Sequence, residues 1–132
     1  MSTPLAQKLG IKSGSRVAFV DQPYGFARAL RPLPRGVKVA ERIAGPLDVV
    51  VLFSHRRSAL ARRLPSLKKA LDQAGGLWVA YPKKASGVPS DLDFEAVQNA
   101  GLAAGLVDNK SASIDGVWTA VRFVYRTEDR TE

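Results

Sequence analysis

The densest apolar run in the chain is Val49-Val50-Val51-Leu52-Phe53, five apolar positions in succession after Asp48. An unbroken run of that kind predicts a strand buried on both faces, as at the centre of a parallel sheet. Shorter runs predict strands at Arg16–Val20, after Gly14, and at Leu77–Tyr81. Val37 to Ile43 alternates loosely and reads as a further strand, followed by the turn signal Gly45-Pro46. Elsewhere the period changes to that of a helix. Leu60, Leu64, Leu67 and Leu71 form one apolar stripe within 57–73, with Arg62 and Lys69 opposite and Arg63 and Lys68 flanking. Pro65 should kink or divide that helix, and Gly75-Gly76 should end it. Residues 4–10 read as a short helix closed by Gly10. Phe26 to Leu30 reads as another, stopped by Pro32-Leu33-Pro34-Arg35-Gly36. Ser90-Asp91-Leu92-Asp93 has the form of a capping box opening a helix to about Ala104. Leu106–Ile114 and Val117–Arg126 then pair as a hairpin around Asp115-Gly116.

Strands that alternate with helices require parallel crossovers and a sheet covered on both faces. The pattern therefore predicts an α/β, Rossmann-like, mostly parallel sheet in three layers, ending in an antiparallel hairpin. Residues 1–126 read as one domain, and 127–132 as a charged tail expected to fray. The length of 132 residues suits a single domain.

Composition narrows the chemistry. Cysteine is absent, which removes disulfides, thiolate catalysis and cysteine-ligated metals. His55 is the one histidine, so no multi-histidine metal site forms within a chain. The net charge of +8, from 20 Lys+Arg against 12 Asp+Glu, favours anionic partners. No run of about 18 apolar residues exists to span a membrane. The first residues lack a secretory pattern, so a cytoplasmic location is the expectation.

The element order resembles the sheet of class I S-adenosylmethionine-dependent methyltransferases with one strand fewer. Leu9-Gly10-Ile11-Lys12-Ser13-Gly14-Ser15-Arg16-Val17 looks like the approach to the first strand of such an enzyme. Ala74-Gly75-Gly76-Leu77-Trp78-Val79 looks like the approach to its fifth. Nearly the whole chain also resembles the bacterial domain-of-unknown-function family numbered 3052. The matching words are residues 3–11, residues 81–92 from Tyr81-Pro82-Lys83-Lys84, and residues 100–108 from Ala100-Gly101-Leu102. This second resemblance implies a bacterial origin and a related fold; it implies no activity.

The methyltransferase resemblance implies a glycine-rich turn after the first strand and an acidic residue after the second that holds ribose hydroxyls. Here the turn is Asp21-Gln22-Pro23-Tyr24-Gly25-Phe26, with one glycine where such enzymes have two or three, and Glu41 is the only acidic candidate. S-adenosylmethionine is accordingly disfavoured, and no cofactor is expected. Ligands of open α/β sheets bind beyond the carboxyl ends of the strands. That rule gathers Tyr24 and Gly25, His55, Arg56 and Arg57, and Lys83 and Lys84 as candidate anion-binding residues. The simpler alternative has Ser54 capping the following helix, His55 as a loop residue and the lysines as surface charge. No Gly-x-Ser-x-Gly elbow and no evident acid–base pair is present, so no catalytic residue is assigned. The expectation is a non-catalytic methyltransferase-like domain that binds an anionic small molecule or a protein partner. Nucleic-acid binding through the basic surface and divergent methyl transfer are the alternatives.

Overall fold

In the computed structural model, which describes residues 3–131, the run Leu47–Phe53 forms β3, buried at every position but Asp48. It lies inside a six-stranded sheet of order β2-β1-β3-β4-β6-β5. The other strands are β1 (Arg16–Val20), β2 (Lys38–Val39), β4 (Leu71–Pro82), β5 (Leu106–Ser113) and β6 (Trp118–Tyr125). The first four strands pair in parallel, whereas β6 runs antiparallel to both β4 and β5. Among the described residues four α-helices cover the sheet: α1 (Leu5–Lys8), α2 (Phe26–Ala29), α3 (Arg57–Ala70) and α4 (Phe94–Ala103). The expected three-layer, mostly parallel architecture with a terminal hairpin is therefore present.

Side-chain alternation along each strand divides the core in two. Val50, Leu52, Leu77, Val79, Val121 and Phe123 pack beneath α3 and α4 against Leu60, Leu64, Leu67 and Val97. Val49, Val51, Phe53, Trp78, Ala80 and Trp118 face α1 and α2 and meet Ala6, Leu9, Phe26 and Leu30. Each of the three buried leucines of α3 contributes on the order of 2 kcal/mol by leaving water.

Five expectations change. The fourth leucine of the stripe, Leu71, does not continue α3; it turns to extended backbone and opens β4 opposite Leu47. Gly75-Gly76 consequently sits inside β4, past a register shift, and not at a helix end. Pro65 does not divide α3, which is unbroken, because the proline lies on the exposed face. A proline here leaves the Ala61 carbonyl, four residues earlier, without its N–H partner, and Ala61 is itself an exposed position where water can replace that partner. The strand expected over Val37–Ile43 shrinks to Lys38–Val39, an edge pair with both side chains exposed and hence little burial to extend it.

The fifth change concerns capping. Asp93, not Ser90, is the N-cap of α4, its carboxylate accepting the Ala96 N–H at 2.8 Å. Asp93→Ala should lower stability by about 1 kcal/mol in denaturant unfolding, whereas an unchanged midpoint would remove the capping role. The hairpin is as expected, with the Asp115 carboxylate accepting both the Val117 and Trp118 N–H at 2.8 Å. The tail folds back: the Thr131 N–H donates to Gln73 Oε1 at 2.7 Å. No helix among the described residues is long and apolar enough to cross a membrane.

Candidate functional site

The chain leaves β1 toward β2 on one side and returns to β3 on the other, so the strand order reverses between β1 and β3. In open α/β sheets that reversal opens a crevice at the carboxyl ends of the two strands. Its walls here are the turn Asp21–Gly25 and the segment Ser54–Arg57.

The turn is tight. Asp21 has φ 56° and Gly25 φ 89°, and at Gly25 only glycine takes that conformation without strain. The Asp21 carboxylate is 3.2 Å from the Arg63 guanidinium of α3, an exposed pair worth under about 1 kcal/mol. Phe26 then drops into the sheet, its ring edge-on to Phe19 at 5.3 Å and to Phe53 at 4.8 Å. The series continues from Phe53 to Trp118 at 5.0 Å and from Trp118 to His55 at 5.1 Å. Beside it Pro23, Tyr24, Phe26, Phe53 and Trp118 line a cleft of about 310 Å³ on the α1–α2 face. Tyr24 stands fully exposed at its rim.

The basic candidates divide into those already engaged and those that are not. Arg57 donates its backbone N–H to the Asp91 carboxylate at 2.7 Å and its Nε to the Asp91 carbonyl at 2.9 Å. Asp91, not Ser54, thus takes the first amide of α3; the Ser54 hydroxyl donates to the Arg56 carbonyl at 3.3 Å. Lys83 Nζ donates to Ser113 Oγ at 2.7 Å and to the Asp115 carbonyl at 2.6 Å, fastening the hairpin turn. Arg56 and Lys84 are exposed, with no side-chain hydrogen bond among the described residues.

Lys83 and Lys84 open onto a different cleft, of about 440 Å³ on the α4 face, with Tyr81 and Phe94. Asp93 and Glu95 share it and offset the lysine charge. The Tyr81 hydroxyl there titrates above its usual range, mainly through burial and secondarily through Asp93. The seven candidates therefore lie at one edge of the sheet but do not form one site: Tyr24 and Gly25 line the cleft on the α1–α2 face, Lys83 and Lys84 the one on the α4 face, and His55, Arg56 and Arg57 line neither. Glu41, past β2, is exposed and lines neither.

A further basic group, outside these candidates, faces inward from the sheet. Arg122 follows Trp118 and Ala120 on the α1–α2 face of β6, and it is half-buried. An arginine at an inward position of a strand was the available signal for it.

No family model and no curated protein matches the chain. Solved structures do. A Sulfolobus solfataricus protein assigned as a type 11 methyltransferase superposes with TM-score 0.68 at 10% identity, over 97% of this chain and 93% of that one. The fold is methyltransferase-like. The calicheamicin-biosynthesis methyltransferase CalO1, in its S-adenosylhomocysteine-bound form, gives TM-score 0.68 at 16% identity. This chain covers 92% of itself in that match but about half, 52%, of CalO1. Aeropyrum pernix fibrillarin with natively bound S-adenosylmethionine gives 0.60 at 12% identity, over 91% and 73% of the two chains. At these identities the methyltransferase-like likeness is one of fold.

Proposed function

We propose that this methyltransferase-like domain binds a small ligand without transferring a methyl group, and that the ligand combines a flat ring with negative charge. The observation behind the reading is the cleft at the carboxyl edge, where exposed Tyr24 shares the lining with the buried rings of Phe26, Phe53 and Trp118, and Trp118 in turn meets exposed His55. Arg56, next to His55 in the chain, is exposed and makes no side-chain hydrogen bond among the described residues. A ring seated between Tyr24 and Trp118 would gain stacking, and the cation would hold its charge.

The residues at the crevice are a poor fit for S-adenosylmethionine. The turn has one glycine, Pro23 stiffens it, and Phe26 occupies the space beside β1 and β3. The Asp21 carboxylate is engaged by Arg63, and the two-residue β2 leaves Glu41 at the sheet's rim. His55 makes no side-chain hydrogen bond to a carboxylate among the described residues, so no general-base pair supports chemistry there.

Calorimetric titration with S-adenosylmethionine and S-adenosylhomocysteine should give no saturable heat. Micromolar binding of either would restore the enzyme reading, which rests on the cofactor-bound neighbours. Anilinonaphthalene sulfonate, an aromatic anion, should bind saturably to the native protein. Its affinity should fall at least tenfold in Tyr24→Ala/Arg56→Ala, both exposed positions with little effect on stability. Equal binding by the variant would sink the site assignment.

A further inference from the structure

At the opposite end of the α1–α2 face, segment 8–15 leaves a cleft of about 360 Å³ against β3, β4, β5 and β6. Lys8, Lys12, Lys110 and Arg122 line it together with a single carboxylate, Asp48. That carboxylate already accepts the Arg16 N–H at 2.8 Å. We infer that this cleft is a second anion site, built for a compact phosphate ligand bearing two or more negative charges, and distinct from the carboxyl-edge cleft.

Strand alternation places Arg122 on this face, in register with Trp78 of β4. Its guanidinium lies flat on Gly76, where a Cβ would collide with it, so backbone and arginine are fitted to one another. Arg122 forms no ion pair within the described residues. Burial, and secondarily Arg130, disfavours its charged form. A guanidinium kept half out of water without a carboxylate is a costly arrangement that an incoming anion relieves. Lys110 Nζ sits 5.9 Å over the Trp78 ring, and Lys8 Nζ, bonded to the Ser113 carbonyl at 2.8 Å, keeps further protons to donate.

Size and shape favour a small molecule. The volume falls in the range of about 300–1,000 Å³ typical of ligand pockets. The four cations converge on one concavity, whereas a nucleic-acid backbone calls for charge spread along a track. Lysines and arginine together, four against one carboxylate, suit the separated oxygens of a diphosphate better than a single carboxylate ligand.

The test is calorimetric titration with inorganic diphosphate at low and moderate salt. The native protein should bind saturably, and Lys12→Ala/Lys110→Ala, both exposed positions, should weaken binding at least tenfold. Arg122→Gln, checked for native circular dichroism, should weaken it similarly. Arg62→Ala/Lys69→Ala, exposed on α3, should leave it unchanged. Absence of saturable binding, undiminished binding by the Lys12/Lys110 variant, or loss in the Arg62/Lys69 variant would each overturn the site. Tighter binding of a short single-stranded oligonucleotide than of diphosphate, lost in the Lys12/Lys110 variant, would overturn the compact ligand. None of these outcomes bears on the Tyr24 cleft, whose probe and variants are separate.

Discussion

Replacing Gly101 by valine should destabilise the protein by about 3 kcal/mol, a large part of the total for a domain of this size. Gly101 is buried in α4, and a Cβ built on it would run into the ring of Phe123, which is fully buried in β6. The contact is rigid on both sides. Phe123 lies amid the α3–α4 core and cannot swing outward, while α4 is anchored by its Asp93 cap. Overpacking of this kind forces rotamers or backbone to shift, and a branched residue leaves no compliant atom to yield. The measurement is urea unfolding of the native protein, Gly101→Val, Phe123→Leu and the double variant. The double variant should be more stable than Gly101→Val alone, because the smaller side chain vacates the colliding volume. Strictly additive losses would mean that the two sites do not meet.

Trp78→Ala should cost about 4 kcal/mol, the largest loss expected from a single truncation in the chain. The side chain is fully buried on the α1–α2 face, and its Nε1–H donates to the Leu9 carbonyl at 2.8 Å. Trp78→Phe separates the two contributions. It keeps most of the apolar contact but leaves the carbonyl of a fully buried residue without its donor, at a cost of about 1–3 kcal/mol. Because that bond pins segment 8–15 to the sheet, Trp78→Phe should also speed amide exchange in the segment. Exchange unchanged from the native protein would mean that packing of Leu9 and Ile11 alone holds the segment down.

The parts of the fold that were legible in the sequence are those whose cause is local. β3 announced itself because burial on both faces leaves no polar position after Asp48, and the hairpin because Asp115-Gly116 is turn chemistry in itself. What was illegible depends on contacts between distant residues. Leu71 fits the helical stripe by spacing, yet its pairing with Leu47 takes it into the sheet. Two acids in Ser90-Asp91-Leu92-Asp93 compete for one cap, and nothing local says that Asp91 serves a helix 34 residues earlier. The candidate edge behaved alike. Topology alone brought Tyr24 and His55 to the rim of the crevice, but the engagement of Arg57 and Lys83 depends on Asp91, Ser113 and Asp115, all far along the chain. The Arg122 cleft was missed because its four cations come from three separate stretches.

The tie between Asp91 and Arg57 has a mechanical consequence. The segment that follows β4 is held to the start of α3 by four bonds, from Ser90 and Asp91 to the His55 carbonyl and from Arg57 to both ends of Asp91. It works as a strut and not as a flap. Widening the Tyr81 cleft by moving that segment would strip α3 of its first hydrogen-bond acceptor, so traffic through the cleft is geared to fraying of a helix whose leucines anchor half the core.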